Sequence, residues 1–159
     1  MIRMISRVKP ILAAISLLAM TGAANADPTF MALQAQAPPV RPGLARVWFL
    51  EQFIPSESLA MPSISANGAP IGQSVPGTVF IRDFPPGTYT FSVPSEGVDS
   101  NQTATVRLAT RSETFIEVQS LRSWASCGDN CARDTLYVRE ISRLWAEKYL
   151  PTLFYRRVG

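Results

Sequence analysis

Few residues in this chain could do chemistry. It contains no histidine, which removes the usual general acid–base, the serine–histidine–aspartate arrangement and the commonest zinc ligand. No phosphate-binding P-loop, no G-x-G-x-x-G opening a helix and no G-x-S-x-G elbow is present. Carboxylates remain: Glu51, Asp83, Glu96, Asp99, Glu113 and Glu117 could work as a pair if the fold brought two of them together. No spacing rule selects a pair, so they read as solvated charges on strands and turns. The expectation is a non-catalytic protein without cofactor or metal, with a carboxylate-based hydrolase as the enzyme alternative. The most specific local pattern is Cys127-Gly128-Asp129-Asn130-Cys131, and its meaning depends on the compartment.

The N-terminus speaks to the compartment. Arg3, Arg7 and Lys9 precede an apolar run from Ile11 to Met20, and Ala24-Asn25-Ala26 supplies the small-x-small pattern of a signal peptidase site. That run is shorter than the ~20 apolar residues that span a bilayer. Residues 1–26 are therefore expected to be a cleaved signal peptide, with a mature start at Asp27 and a periplasmic or secreted product. No cysteine follows the apolar run to accept a bacterial lipid anchor. The signal carries three of the chain's 15 basic residues, so the exported part balances its 12 acidic ones. The isoelectric point of 9.2 is thus no argument for nucleic-acid binding. Lys148 is the one lysine left after cleavage; the arginine bias reads as compositional drift rather than a set of anion clamps.

In an oxidising compartment, two cysteines flanking a turn-forming Gly-Asp-Asn are expected to form one structural disulfide, Cys127 to Cys131, worth about 2 kcal/mol in the chain-entropy account. A redox-active pair normally has two intervening residues, and a metal site needs a further soft ligand. Asn101-Gln102-Thr103 fits a glycosylation sequon but reads as a turn. Trp48, Trp124 and Trp145 could line a sugar or peptide groove, although core burial is the commoner fate of tryptophan in a small domain.

These residues must be positioned by short strands. Residues 27–44 are rich in Ala, Gln and Pro with no sustained period, and read as a disordered or extended lead-in. In Ala45–Leu50, Val47 and Phe49 fall on one face and Trp48 and Leu50 on the other, so this strand should be central or covered. Asn67-Gly68 predicts a hairpin between Ser63–Ala66 and Ala69–Gly72, with Pro70 confining the second arm to an edge. Gly77–Phe84 reads as a strand, Pro85-Pro86-Gly87 as a turn with glycine in the left-handed position, and Thr88–Val93 as a strand with Tyr89, Phe91 and Val93 facing inwards. Ala104–Leu108 and Thr114–Val118 look like a hairpin pair, and Thr135–Ile141 like a last strand. From Ser142 the period turns helical, with Leu144, Trp145, Tyr149 and Leu150 on one side and Pro151 as terminator. The predicted fold is mainly β: a small two-sheet antiparallel sandwich of about seven strands over residues 45–141, with a C-terminal helix and aromatic tail over 142–159.

Ala45-Arg46-Val47-Trp48-Phe49, Ile71-Gly72, Gly77–Ile81 and above all Phe84-Pro85-Pro86-Gly87-Thr88-Tyr89-Thr90-Phe91-Ser92-Val93 resemble a bacterial envelope domain family of unknown function. Its members are often lipid-anchored and are similar to PEGA and carboxypeptidase-regulatory-like sandwiches. The resemblance covers residues 45–119. It implies a sandwich fold and carries no mechanism. The chain departs from it in lacking a lipid-acceptor cysteine and in adding the cysteine loop and the tail.

That tail crowds Trp145, Tyr149, Leu150, Leu153, Phe154 and Tyr155 ahead of Arg156 and Arg157. So much apolar area calls for a partner surface. The tail is expected to pack on its own sandwich, where it would cover an edge; the alternative is a partner-binding element presenting Trp145, Tyr149, Phe154 and Tyr155. The function expected is that of an exported binding or accessory module of the envelope, contacting an envelope protein or glycan, with no nucleic acid and no membrane span. A carbohydrate-binding module is the alternative, and it requires exposed, coplanar aromatic rings.

Overall fold

The computed structural model describes residues 28–55, 59–95, 100–122 and 134–158. Its strands in chain order are β1 (Ala45–Glu51), β2 (Ser63–Ala66), β3 (Ala69–Gln73), β4 (Thr78–Phe84), β5 (Gly87–Ser92), β6 (Thr103–Leu108), β7 (Glu113–Arg122), β8 (Asp134–Ile141) and β9 (Phe154–Tyr155). Two helices, α1 (Pro28–Gln36) and α2 (Arg143–Tyr149), and a 3-10 turn at Leu150–Thr152 complete the described elements. The strands form a five-stranded sheet in the order β8-β7-β1-β4-β9 and a four-stranded sheet in the order β3-β2-β5-β6. This is the expected mainly β, two-sheet, sandwich-like arrangement, with a short C-terminal helix.

β1 is buried along its whole length, as its two apolar faces require. Val47 and Phe49 face the smaller sheet, in a core with Ile64, Phe80, Phe91, Ile116, Val118 and Val138. The Phe49 ring stacks on Phe80 at 5.0 Å and meets Phe91 edge-on at 5.1 Å. Trp48 and Leu50 face the other way, into a second core with Val79, Phe115, Leu33, Ala146, Leu150 and Leu153. Helical and turn segments thus cover the outer face of the larger sheet, and β1 is central in both senses.

The turns follow local chemistry. Asn67 and Gly68 take positive φ of 49° and 82°, the mirror-image turn that matches strand twist, and the Asn67 side-chain oxygen accepts the Thr90 amide at 2.8 Å. β3, carrying Pro70, lies at a sheet edge, where a missing amide costs no ladder bond. Residues 100 and 101 form a turn in which Asn101 has φ 65°.

Several expectations are corrected. The larger sheet is mixed rather than antiparallel, because β1 runs parallel to β7 and β4 parallel to β9, and the described strands number nine. β6 and β7 do not pair as a hairpin; they belong to different sheets. The crossing is fixed by Arg111, at φ 62°, and by bonds from Arg111 to the Leu44 carbonyl and from Arg46 to the Ser112 carbonyl, which deliver β7 alongside β1. Alternation marks one buried face per strand and cannot say which sheet owns it.

Pro85 and Pro86 likewise form a corner between sheets rather than a hairpin turn, since β4 and β5 are in different sheets. Gly87 begins β5 instead of adopting a left-handed conformation, and the Tyr89 hydroxyl donates to the Pro85 carbonyl at 3.1 Å to pin the bend. The lead-in is not extended throughout: residues 28–36 are helical. Of the side chains described in α1, Leu33 alone is buried, so no apolar period marks the helix in the sequence. In α2 the buried residue is Ala146 rather than the expected aromatic side; Leu144 is 80% and Trp145 42% exposed. The small Ala146 lets the helix approach the sheet, and Ser142 caps it by accepting the Trp145 amide at 3.2 Å. Among the described residues no helix is long and apolar enough to cross a membrane.

Candidate functional site

Strand alternation puts Arg46 on the same face of the larger sheet as Trp48 and Leu50, under the helical layer. The register of β1 and β4 sets Asp83 directly opposite Arg46, and the two join through a two-pronged ion pair. Arg46 Nε donates to Asp83 Oδ1 at 2.9 Å and Nη2 to Oδ2 at 3.1 Å. Their side chains are only 5% and 10% exposed, so the pair is a charged floor where that face reaches its end.

Three chain segments converge on this floor. The end of α1 leads through Ala37, Pro38 and Pro39 to Arg41, whose amide lies 3.5 Å from Asp83 Oδ2. β4 contributes Ile81 and Arg82 beside Asp83. The tail returns along β4: the amides of Phe154 and Arg156 donate to the Gly77 and Val79 carbonyls at 2.9 and 2.8 Å. This brings Tyr155, Arg157 and Val158 to the rim. Arg82 ties the tail down by donating to the Ile71 carbonyl at 2.9 Å and the Val158 carbonyl at 3.4 Å. Between these segments lies a cleft of about 740 Å³ whose described lining residues include four arginines, Arg41, Arg46, Arg82 and Arg157, and one acidic residue, Asp83. Its size is that of a small-molecule site.

Burial pushes the Tyr155 phenol above its ordinary pKa; the Arg46 and Arg157 guanidiniums pull it back in part, and Asp83 adds a smaller upward push. The hydroxyl therefore stays protonated at neutral pH and can donate to a ligand. With Arg46 neutralised by Asp83, the surplus of positive charge suits an anion.

The sequence-predicted residues are scattered. Tyr155 lines the cleft. Phe154, next to it on β9, is 79% exposed. Trp145 and Tyr149 meet edge-on at 5.4 Å, 68° apart, on α2, with Lys148 Nζ 5.0 Å from the indole centroid. That angle gives no coplanar platform for a sugar, and Trp48 is wholly buried. Cys127, Cys131, Trp124, Glu96, Asp99 and residues 1–26 lie outside the described residues.

The other carboxylates are not the solvated charges expected. Glu51 and Glu117 are buried, at 3% and 1% exposure. Glu117 accepts Gln52 Nε2 at 2.6 Å and Arg139 Nε at 2.7 Å, while Glu113 accepts Trp48 Nε1 at 3.3 Å and pairs with Arg143. Glu113, Phe115 and Glu117 alternate onto the outer face of the sheet, so the layer that buries Phe115 takes in its charged neighbours too. No group of three or more histidine, cysteine or carboxylate side chains able to hold a metal occurs among the described residues.

Four of the arginines line the cleft. They sit at positions 41, 46, 82 and 157, and only the pairings of β1, β4 and β9 bring them together. No local spacing could have signalled them. Compared with known proteins, the chain matches no family model and no curated protein.

Proposed function

We propose that the protein is an exported, non-catalytic binding module of the bacterial cell envelope, and that its ligand enters the cleft above the Arg46–Asp83 pair. The observation that carries this reading is the cleft itself: about 740 Å³, three converging segments and, among its described lining residues, four arginines to one aspartate. Of the carboxylates that could do acid–base chemistry, Asp83, Glu113 and Glu117 each accept an arginine. The signal pattern of residues 1–26 and the resemblance of residues 45–119 to envelope sandwich domains support periplasmic or secreted placement. A concave site of this volume favours a small molecule such as a glycan fragment over a protein surface.

Native mass spectrometry of the protein recovered from its compartment tests both halves of the proposal. The polypeptide mass should correspond to a start at Asp27. A bound small molecule should be present, and should be lost in Gln36→Trp, which places a bulky ring at the mouth of the cleft from an exposed position. A polypeptide retaining residues 1–26 would refute export. A ligand retained unchanged in Gln36→Trp would move the binding site elsewhere.

A further inference from the structure

The four cleft arginines are not equivalent. Arg46 spends two donors on Asp83, and Arg82 is held by the Ile71 and Val158 carbonyls. Arg41 and Arg157 are exposed, and neither guanidinium has a hydrogen-bond or ion-pair partner among the described residues. They come from the two ends of the folded chain, one after α1 and the other after β9, onto one cleft. Asp83 pairs through both oxygens with Arg46, which offsets its charge at the cleft floor. The neighbouring wall, from Ala37, Pro38, Pro39 and Ile81, is apolar.

We propose that this cleft takes a phosphomonoester of a small organic molecule, with the phosphate held by Arg41 and Arg157 and the organic body against the Pro38–Pro39 wall. The inference rests on the reading of the cleft as the ligand site. Two uncommitted guanidiniums match a dianion in charge, and the planar donor fork of arginine matches phosphate oxygens two at a time. A monocarboxylate would leave one guanidinium unanswered. The protonated Tyr155 hydroxyl adds a donor at the rim. The same headgroup chemistry is found in soluble sugar phosphates and in phosphatidic acid, and the two sources can be separated.

The test is titration of the protein at low ionic strength, followed by heat and by amide NMR shifts, with a hexose phosphate, the same hexose without phosphate, and acetate. A parallel arm uses phosphatidylcholine vesicles with and without phosphatidic acid. The hexose phosphate should bind at least about tenfold more tightly than the hexose, and added salt should weaken it. Arg41→Gln combined with Arg157→Gln should reduce that affinity about tenfold or more while leaving the melting temperature unchanged, because both side chains are exposed. Recruitment to phosphatidic acid vesicles that the double variant abolishes would also support the proposal and would assign the headgroup to a lipid. Equal affinity for hexose and hexose phosphate, or a double variant that binds as the parent does, would overturn it. In the first of those cases, hexose-induced shifts at cleft residues would leave the cleft reading standing. If no probe shifts a cleft residue, both proposals fall.

Discussion

Phe49 and Trp48 are neighbours in sequence and both are wholly buried, yet they belong to different interiors. Around Phe49 the inner core is continuous and apolar, with Phe80, Phe84 and Phe91 rings 5.0 to 6.5 Å away. Around Trp48 the outer core is an apolar strip bordered by charge: Arg46–Asp83 across β1 and β4, and Glu113–Arg143 and Glu117–Arg139 along β7, with Glu113 in register beside Arg46. The inner core is closed by a second sheet that repeats along its length. The outer core is closed by a nine-residue helix, a seven-residue helix and a turn, which leave a cleft above the Arg46–Asp83 pair. The cleft forms on the face that is not sheet against sheet, where separate segments rather than a second sheet supply the cover.

The largest test of this contrast is to remove the outer cover. Truncation after Ser142 strips Leu150 and Leu153 from Trp48, Leu50 and Phe115. At about 1.5–3 kcal/mol for each large side chain exposed, the loss should exceed roughly 5 kcal/mol, comparable with the whole stability of a small domain. Unfolding or aggregation of the truncated protein is expected. If it stays monomeric with an unchanged melting temperature, the outer strip is not an interior, and the tail is free to serve a partner.

Next in size is the charged border of the strip. Arg46→Met leaves Asp83 buried without its partner, which should cost about 3–5 kcal/mol in urea unfolding. Adding Asp83→Leu to Arg46→Met should recover most of that loss, because a well-packed apolar pair commonly replaces a buried ion pair at no cost. The recovered protein should lose the charged floor of the cleft. If the double variant is as unstable as the single one, the pair is a structural strut, and its place beneath the cleft is incidental.

What could be read from the sequence follows the same division. The two faces of β1, the Asn67-Gly68 hairpin and the edge position of Pro70 are local patterns with local causes, and each predicts its element. The sheet assignment of β6 and β7 depends on Arg111 and Ser112 bonding to the start of β1, a contact that closes a long loop. Alternation looks the same either way. α1 has no local signature, because among its described side chains one buried leucine makes no period. The cleft was illegible for a stronger reason: its arginines are meaningful only once β4 has β1 on one side and the tail on the other, which is a property of pairing rather than spacing.

Within the inner core, Gly72 offers a finer test. A Cβ built there would lie 2.8 Å from Cε2 and Cζ of Phe80, whose ring is 2% exposed and stacked on Phe49. Because the ring is buried and stacked, Gly72→Ala should cost about 1–3 kcal/mol as overpacking. An unchanged denaturation midpoint would mean that the inner core is looser than its ring stacking implies, and the contrast between the two interiors would narrow.

The smallest expected effect is at Tyr155, where the outer layer meets the cleft. Desolvation is the main cause of its raised pKa, with Arg46 and Arg157 opposing it. Below pH 10.0, the ordinary tyrosine value, folded and unfolded chains both hold the phenolic proton, and Tyr155 adds no pH dependence to stability. Above that value the unfolded chain gives up the proton first. The folded chain then binds more protons than the unfolded one, so stability falls as pH rises, until the raised value is passed and the slope ends. The other three tyrosines, Tyr89, Tyr137 and Tyr149, are retained in Tyr155→Phe, which makes the difference between the two proteins specific to this ring. Urea midpoints of parent and Tyr155→Phe, followed from neutral pH into the alkaline range, should change in parallel up to pH 10.0 and diverge above it, the parent falling faster. Parallel curves throughout would mean that the phenol is fully hydrated, that the tail does not close the rim, and that the cleft is open on the side where Arg157 is placed.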